Sequence, residues 1–328
     1  MQEPVLPAGI PQPLDQELLA WAAGFFDGEG STIAKTMAER PNYCQLQVAV
    51  PQSGHDGVPE VLTRFRSAAL GTGRIEPPNK DDIYAWRARG RIDAEMILAL
   101  MWPYLGDVKR AQACDALARV AAQYEHVKRR PPRYVPTFVA HPENGVAADP
   151  ERLERAWAAG FLDAEGWFGV VRGNKHKDGS QGLRIRVSAP QHSADGAVPA
   201  VLLRLQRLLG GVIEVHGEAD DYKWVITGRP KVVRAFETVS PWLGSVKRAQ
   251  AASALARYDA HPRLRGTGET CVRGHTYDAV VVRPSGKTVK ICLACQRMRD
   301  RAKRIERGGR SRTVKTPHED PTRVYRVK

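Results

Sequence analysis

The segment Ala20-Trp21-Ala22-Ala23-Gly24-Phe25-Phe26-Asp27-Gly28-Glu29-Gly30 returns later in the chain as Ala156-Trp157-Ala158-Ala159-Gly160-Phe161-Leu162-Asp163-Ala164-Glu165-Gly166. A copy placed a whole domain's length away means two similar domains rather than a short solenoid repeat, so chemistry encoded in the segment occurs twice. Within the first copy Ala20, Gly24 and Gly28 recur every four residues, and Ala156, Gly160 and Ala164 do so in the second. Residues four apart share one helix face, which gives each helix a stripe with almost no side chain. An interior Gly costs about 1 kcal/mol relative to Ala, so Gly on such a stripe points to close approach of another backbone. Two copies favour packing of one helix on the other. That packing draws Glu29 and Glu165, expected just past the helix ends, toward each other. Two carboxylates at helix C-termini repel one another and the helix dipoles unless a cation compensates, and a divalent metal is the natural choice. Asp27 and Asp163 read as caps or turn acids.

The surroundings of the two copies match as well. Asp15 is an N-cap for a helix from Gln16 to about Phe26, broken by Gly28 and Gly30. Residues 31–38 and 43–50 form two antiparallel strands around a turn at Glu39-Arg40-Pro41-Asn42, with Pro51 closing the second. A helix over 58–70, strands at 74–76 and 83–89, and helices over 91–102 and 109–124 complete the unit. The order predicts an α+β fold, an antiparallel sheet with its helices on one face. Val48-Ala49-Val50-Pro51-Gln52 is echoed by Val187-Ser188-Ala189-Pro190-Gln191, and the run from Pro103 to Gln112 by that from Pro241 to Gln250. The domain map is therefore a leader (1–14), a first repeat (15–127), a Pro-rich linker (128–150), a second repeat (151–262), a small Cys/His module (263–305) and a basic, disordered tail (306–328).

Lys and Arg number 50 against 36 Asp and Glu, a formal charge of +14 in 328 residues. That balance favours a polyanion such as nucleic acid as partner. No apolar run approaches the ~20 residues of a membrane span, and the Pro-rich start lacks the layout of a secretion signal, so the expectation is a cytoplasmic protein with no membrane partner. Five cysteines, three of them near the C-terminus, do not make a disulfide framework. Cys271 with His275, and Cys292 with Cys295, offer four soft ligands in two close pairs, which fits a tetrahedral structural zinc, Zn2+. So short a segment cannot build much of a core, and the metal would supply its folding free energy. The basic run from Gln296 to Arg304 suits a helix lying against phosphates.

Taken with the matching repeats, Ala22–Gly30 and Ala158–Gly166 resemble the nine-residue signature of the LAGLIDADG homing endonucleases in their single-chain, two-repeat form. Ala replaces the first Leu and Glu the final acid in both copies. The resemblance covers about residues 15–262 and implies two pseudo-symmetric αββαββα units, each with a four-stranded antiparallel sheet, together making a saddle over duplex DNA. It implies that Glu29 and Glu165 are catalytic carboxylates binding magnesium, Mg2+, with Gln52, Gln191, Lys109 and Lys247 beside them. The alternative reading for the two lysines is a phosphate contact or a helix-terminal residue. The chemistry implied is hydrolysis of one phosphodiester per strand, hence intron homing by a double-strand break. The Cys/His module is similar to small treble-clef-like modules of phage HNH-type nucleases, here expected as an accessory DNA-binding finger.

Bases would be read from alternate strand positions in the major groove. The candidates are Lys35, Gln45, Gln47, Arg74, Arg87 and Arg89 in the first sheet and Arg172, Asn174, Arg184, Arg186 and Lys223 in the second; the strand parity that faces DNA stays open. The sheets differ far more in these positions than the helices do, which predicts an asymmetric, non-palindromic site and a protein acting as a monomer. Two alternatives stand beside the endonuclease: a maturase binding intron RNA on the same saddle, and an inactive DNA-binding protein. Retention of both acids, both Gln and both Lys argues against the inactive form.

Overall fold

The computed structural model describes residues 14–37, 40–126, 149–175, 181–193, 195–215, 220–260, 271, 273, 275–282, 288–306 and 324–326. The chain divides into two compact units, Met1–Arg172 with Leu183–Asp259, and Gly173–Gly182 with Ala260–Lys328. Most of the predicted linker, leader and tail lies outside the described residues.

The first repeat and most of the second fall in the first unit, while residues 173–182, at the β5–β6 end, group with the second unit. The first repeat runs α1 (Gln16–Glu29), β1 (Ser31–Met37), β2 (Arg40–Ser53), α2 (Glu60–Ala68), β3 (Arg74–Glu76), β4 (Ile83–Arg89), α3 (Arg91–Met101) and α4 (Asp107–His126). The second repeats this order as α5 (Pro150–Glu165), β5 (Trp167–Lys175), β6 (Gln181–His192), α6 (Ala200–Leu209), β7 (Val212–Val215), β8 (Asp221–Thr227), α7 (Arg229–Val239) and α8 (Ser245–Ala260). Each repeat has a four-stranded sheet, in the orders β1-β2-β4-β3 and β5-β6-β8-β7. Every strand pairing whose register is described in these two sheets is antiparallel. The predicted α+β architecture is the one observed.

Alternation along the central strands decides which face is covered by helices. Leu46, Val48 and Val50 on β2 and Trp86 and Ala88 on β4 are buried against α1 and α2, where Phe65 meets Trp86 edge-on at 4.9 Å between ring centroids. In the second sheet Ile185, Val187 and Ala189 on β6 and Trp224 and Ile226 on β8 occupy the same face. The intervening residues form the opposite, open face.

Three local expectations are corrected. Helix α1 does not stop near Phe26 but continues through Gly28 to Glu29, and Gly30 closes it with its N–H on the Phe26 carbonyl at 2.8 Å. Packing against α5 offsets the low helix propensity of Gly28, so Glu29 sits in the last turn rather than beyond it. Pro51 does not close β2: the strand runs to Ser53, pairing Pro51 with Ala85 and Gln52 with Tyr84. The partner strand β1 begins opposite Ala49, so the missing Pro51 N–H leaves no bond to β1 unmade. Pro190 lies inside β6 in the same way, opposite Lys223. Strand β2 begins at Arg40, inside the predicted turn, with Met37 paired to Arg40 after a register shift.

In the second unit β9 (Ala279–Val282), β10 (Thr288–Ile291) and β11 (Val324–Arg326) form a small sheet in the order β10-β9-β11, followed in sequence after β10 by α9 (Leu293–Glu306). The strand β11 falls in the end of the tail, expected as a disordered arm: Val324 to Arg326 pair with β9 from Val281 to Ala279. Among the described residues no helix is long and apolar enough to cross a membrane.

Candidate active site and nucleic-acid face

Helices α1 and α5 meet at their glycines. A Cβ built on Gly24 would stand 1.9 Å from the Trp157 carbonyl oxygen and 2.9 Å from the Phe161 nitrogen, and one on Gly160 would stand 1.9 Å from the Trp21 oxygen and 2.9 Å from the Phe25 nitrogen. Backbone touches backbone with no side chain between. One turn further on, a Cβ on Gly28 would lie 2.5 Å from the Ala164 Cβ and 3.1 Å from the Glu165 Cγ. The stripe therefore sets the crossing, and the crossing brings the two helix ends together.

Glu29 and Glu165 are the last residues of those helices. Burial raises the pKa of Glu165, and the neighbouring Glu29 carboxylate raises it further, to about 7, against the opposing pull of Lys247 and Lys109. Burial also raises Glu29, again opposed by Lys109 and Lys247. Each lysine is the third residue of its helix, α4 or α8. Lys109 Nζ donates to the Gly30 carbonyl at 2.6 Å and Lys247 Nζ to that of Gly166. Burial lowers both lysine pKa values, which Asp27 or Asp163 and the two glutamates counteract. Gln191 Nε2 donates to Glu165 Oε1 at 3.3 Å, while the Oε1 of Gln52, on the matching position of β2, is buried without a hydrogen-bond partner. Gln52 and Gln191 share the parity of the buried residues, which turns them to the helix side where the glutamates lie.

A second constellation escaped the sequence. Asp27 and Asp163, read there as turn acids, are 4% and 3% exposed. Trp157 Nε1 donates to Asp27 Oδ2 at 2.7 Å and Trp21 Nε1 to Asp163 Oδ2 at 2.8 Å, each bond crossing between the repeats. The same carboxylates accept the Gly106 and Gly244 N–H groups, at 2.9 and 2.8 Å on Oδ2, just before α4 and α8 begin. Burial pushes both aspartates up to about 6 despite these donors. Arg204 and Arg64 lie 3.9 Å over the Trp157 and Trp21 rings, and reach across to the Tyr104 and Trp242 carbonyls. The aspartates thus tie the helix pair to the starts of the helices that carry the lysines.

On the open face of the first sheet lie Lys35, Gln45, Gln47, Arg74, Arg87 and Arg89, since Gln47 pairs with Arg89 and Arg74 with Arg87 on the parity opposite Val48 and Trp86. Glu76, not singled out in the sequence, holds Arg87 and also Arg89, the latter at 2.6 Å. In the second sheet Arg184, Arg186 and Lys223 share the open face, and Arg186 is paired with Glu214 at 3.0 Å. Of the three arginines held by these glutamates, Arg87 and Arg186 each keep a buried Nε with no partner. Arg172 does not join them: it has the parity of the buried Phe168, because side chains alternate along β5. The side chain of Asn174 lies outside those described.

No family model and no curated protein matches the chain. Among solved structures, the LAGLIDADG homing endonuclease I-LtrWI bound to target DNA aligns at 18% identity and TM-score 0.54, over 75% of this chain and 91% of that one. The LAGLIDADG meganuclease I-AabMI bound to uncleaved DNA aligns at 15% and 0.54, over 78% and 94%, and I-GzeII with its DNA target at 15% and 0.51, over 74% and 89%. The chain has the LAGLIDADG fold.

In this LAGLIDADG fold the open faces of the two sheets and the ends of α1 and α5 come from matching positions of the two repeats. Each alignment leaves part of the chain unmatched, and the second unit contains chemistry of its own. Cys271 Sγ lies 3.6 Å from His275 Nδ1 and 3.6 Å from Cys295 Sγ, and His275 Nδ1 lies 3.7 and 3.4 Å from Cys292 Sγ and Cys295 Sγ. All four ligand atoms fall within 4.8 Å of one another. Sulfurs about 2.3 Å from a shared tetrahedral zinc would stand about 3.8 Å apart, so the cluster has the dimensions of a metal site. The Arg273 and Cys295 N–H groups point at Cys271 and Cys292 sulfur, and Asp278 accepts the Leu293 N–H at 2.7 Å where α9 starts.

Proposed function

We propose that the chain is a site-specific DNA endonuclease that hydrolyses one phosphodiester in each strand of a long, non-palindromic duplex, with magnesium held by Glu29 and Glu165. The observation that supports this most is the meeting of those two carboxylates from opposite repeats, each with a lysine held beside it. The pair fits a hard divalent cation. Burial and then the neighbouring Glu29 keep Glu165 near 7 although two ammonium groups are close, and Gln52 Oε1 is an acceptor without a donor. When bound, the metal supplies Lewis acidity toward the phosphoryl oxygens and a water of lowered pKa.

Glu29 and Glu165 would hold the ion, each repeat serving one strand across the pseudo-two-fold. Lys109 and Lys247, fixed on the Gly30 and Gly166 carbonyls, stabilise charge developing on the phosphate and order the attacking water. Gln191 orients Glu165 by its hydrogen bond, and Gln52 serves Glu29 without titrating. Lys35, Gln45, Gln47, Arg74, Arg87 and Arg89, with Arg184, Arg186 and Lys223, meet base edges and phosphates from the open faces. Repeats at 15–127 and 151–262 joined by a linker would let one chain act as a monomer. Cys271, His275, Cys292 and Cys295 take a structural zinc, and α9, with Arg297, Arg299, Arg301 and Lys303, lies against flanking phosphates.

The test is a plasmid library incubated with the purified protein and magnesium, with sequencing of the break ends. Breaks in both strands at one asymmetric sequence are expected. Intact plasmid throughout, or breaks scattered without sequence preference, would contradict the proposal.

A further inference from the structure

The first residue of β5 is Trp167, directly after Gly166, whose carbonyl receives Lys247, and two positions after Glu165. Its backbone is anchored by the next residue: the Phe168 N–H donates to Gln250 Oε1 at 3.1 Å, and the Phe168 ring is buried on the helix side. Alternation then places the indole of Trp167 on the open face, with Arg184, Arg186 and Lys223. There it lies along its own strand. A Cβ on Gly169 would stand 2.1 Å from the indole Cζ2 and 2.3 Å from Cη2, so Gly169 provides the space the ring occupies. The strand covers one side of the ring, and the side chain is still 38% exposed, whereas Trp21, Trp86, Trp157 and Trp224 are fully buried. In the first repeat the residue following Glu29-Gly30 is Ser31.

We infer that Trp167 is a DNA contact of the second repeat alone, packing its open indole face against the sugar and base beside the phosphate served by Glu165. The inference rests on the endonuclease reading. Two residues of extended chain span at most about 7 Å, so the ring and the carboxylate act on neighbouring nucleotides. An indole offers a wide apolar surface and no acceptor, so it senses shape and ease of unstacking rather than a hydrogen-bond pattern. Ser31 cannot do this, and the two halves of the target therefore differ at mirrored central positions in how they are read.

The experiment uses the full chain, its Trp167→Ala and Trp167→Phe variants, and a short duplex recovered by binding selection from a randomised pool. Trp167→Ala is expected to weaken Kd about tenfold, within the range of one base–aromatic contact, with Trp167→Phe restoring most of it and both variants melting at the wild-type temperature. Acrylamide quenching of tryptophan emission should fall when the duplex binds, and Trp167→Ala should lack that change. Selection with Trp167→Ala should tolerate base changes beside the second repeat's scissile phosphate and not at the mirrored position near Ser31. Wild-type affinity and preference in Trp167→Ala, or an indole as accessible in the complex as in the free protein, would overturn the inference alone. A protein that binds no duplex at all would overturn it together with the endonuclease reading.

Discussion

Glu29 and Glu165 were legible as a pair because their signal is local and duplicated: a small-residue stripe followed by an acid, twice. Asp27 and Asp163 were not, because their donors, Trp157 and Trp21, belong to the other repeat and come into reach only at one helix crossing. A Trp21→Phe substitution keeps most of the ring and removes the N–H, leaving Asp163 with the Gly244 amide. Loss of a buried hydrogen bond to a carboxylate should cost about 1–3 kcal/mol, read as a lowered thermal midpoint; an unchanged midpoint would deny the bond its role. Glu95 on α3 is a different buried acid, 1% exposed, with Oε1 on Arg91 Nε at 2.6 Å and Oε2 without a partner. Burial raises its pKa above 4.5, outweighing Arg91. The folded state therefore holds this proton more tightly than the unfolded chain, and stability falls as pH rises from about 4.5 through the folded value. Glu95→Met should raise the midpoint at neutral pH, and the gain should shrink toward pH 4. Melting curves across pH would show the opposite trend if Glu95 were stabilising as an anion.

At the scale of elements, the α1–α5 pair was foreseen from the stripe, while its tightness was not. Helical spacing identifies a bare face, but only the folded structure shows that a Cβ at Gly24 would meet a carbonyl oxygen that cannot move without its helix. Gly24→Ala, which would stabilise an ordinary helix, should here cost about 3 kcal/mol, at the upper end for overpacking because the obstacle is backbone. Denaturant midpoints give the number, and a neutral or stabilising result would mean the helices cross elsewhere. Pro51 misled as a strand end because sequence cannot show that β1 begins opposite Ala49. The Cys/His cluster was readable from spacing alone, since its ligands lie in two short pairs. Chelating the metal from the whole protein should abolish the far-ultraviolet signal of α9 and leave the melting of the repeats in place. A zinc content near zero in the folded protein would contradict that assignment.

For the whole molecule, duplication made the fold legible: two copies of one motif inside two matching runs leave few architectures. The nucleic-acid face was only partly legible. Parity depends on which side the helices cover, and that places Arg172 away from the other candidates. Nor did the sequence signal that Glu76 and Glu214 would sit among the arginines, for β3 and β7 are too short to display alternation. The proposed activity depends on Glu29 and Glu165 acting as one centre assembled from two repeats. The most direct measurement is cleavage and binding of the recovered target by the Glu29→Gln, Glu165→Gln double variant in magnesium. The account predicts a folded protein that binds the duplex and breaks neither strand; a double variant that still cuts both strands at the wild-type rate would contradict it.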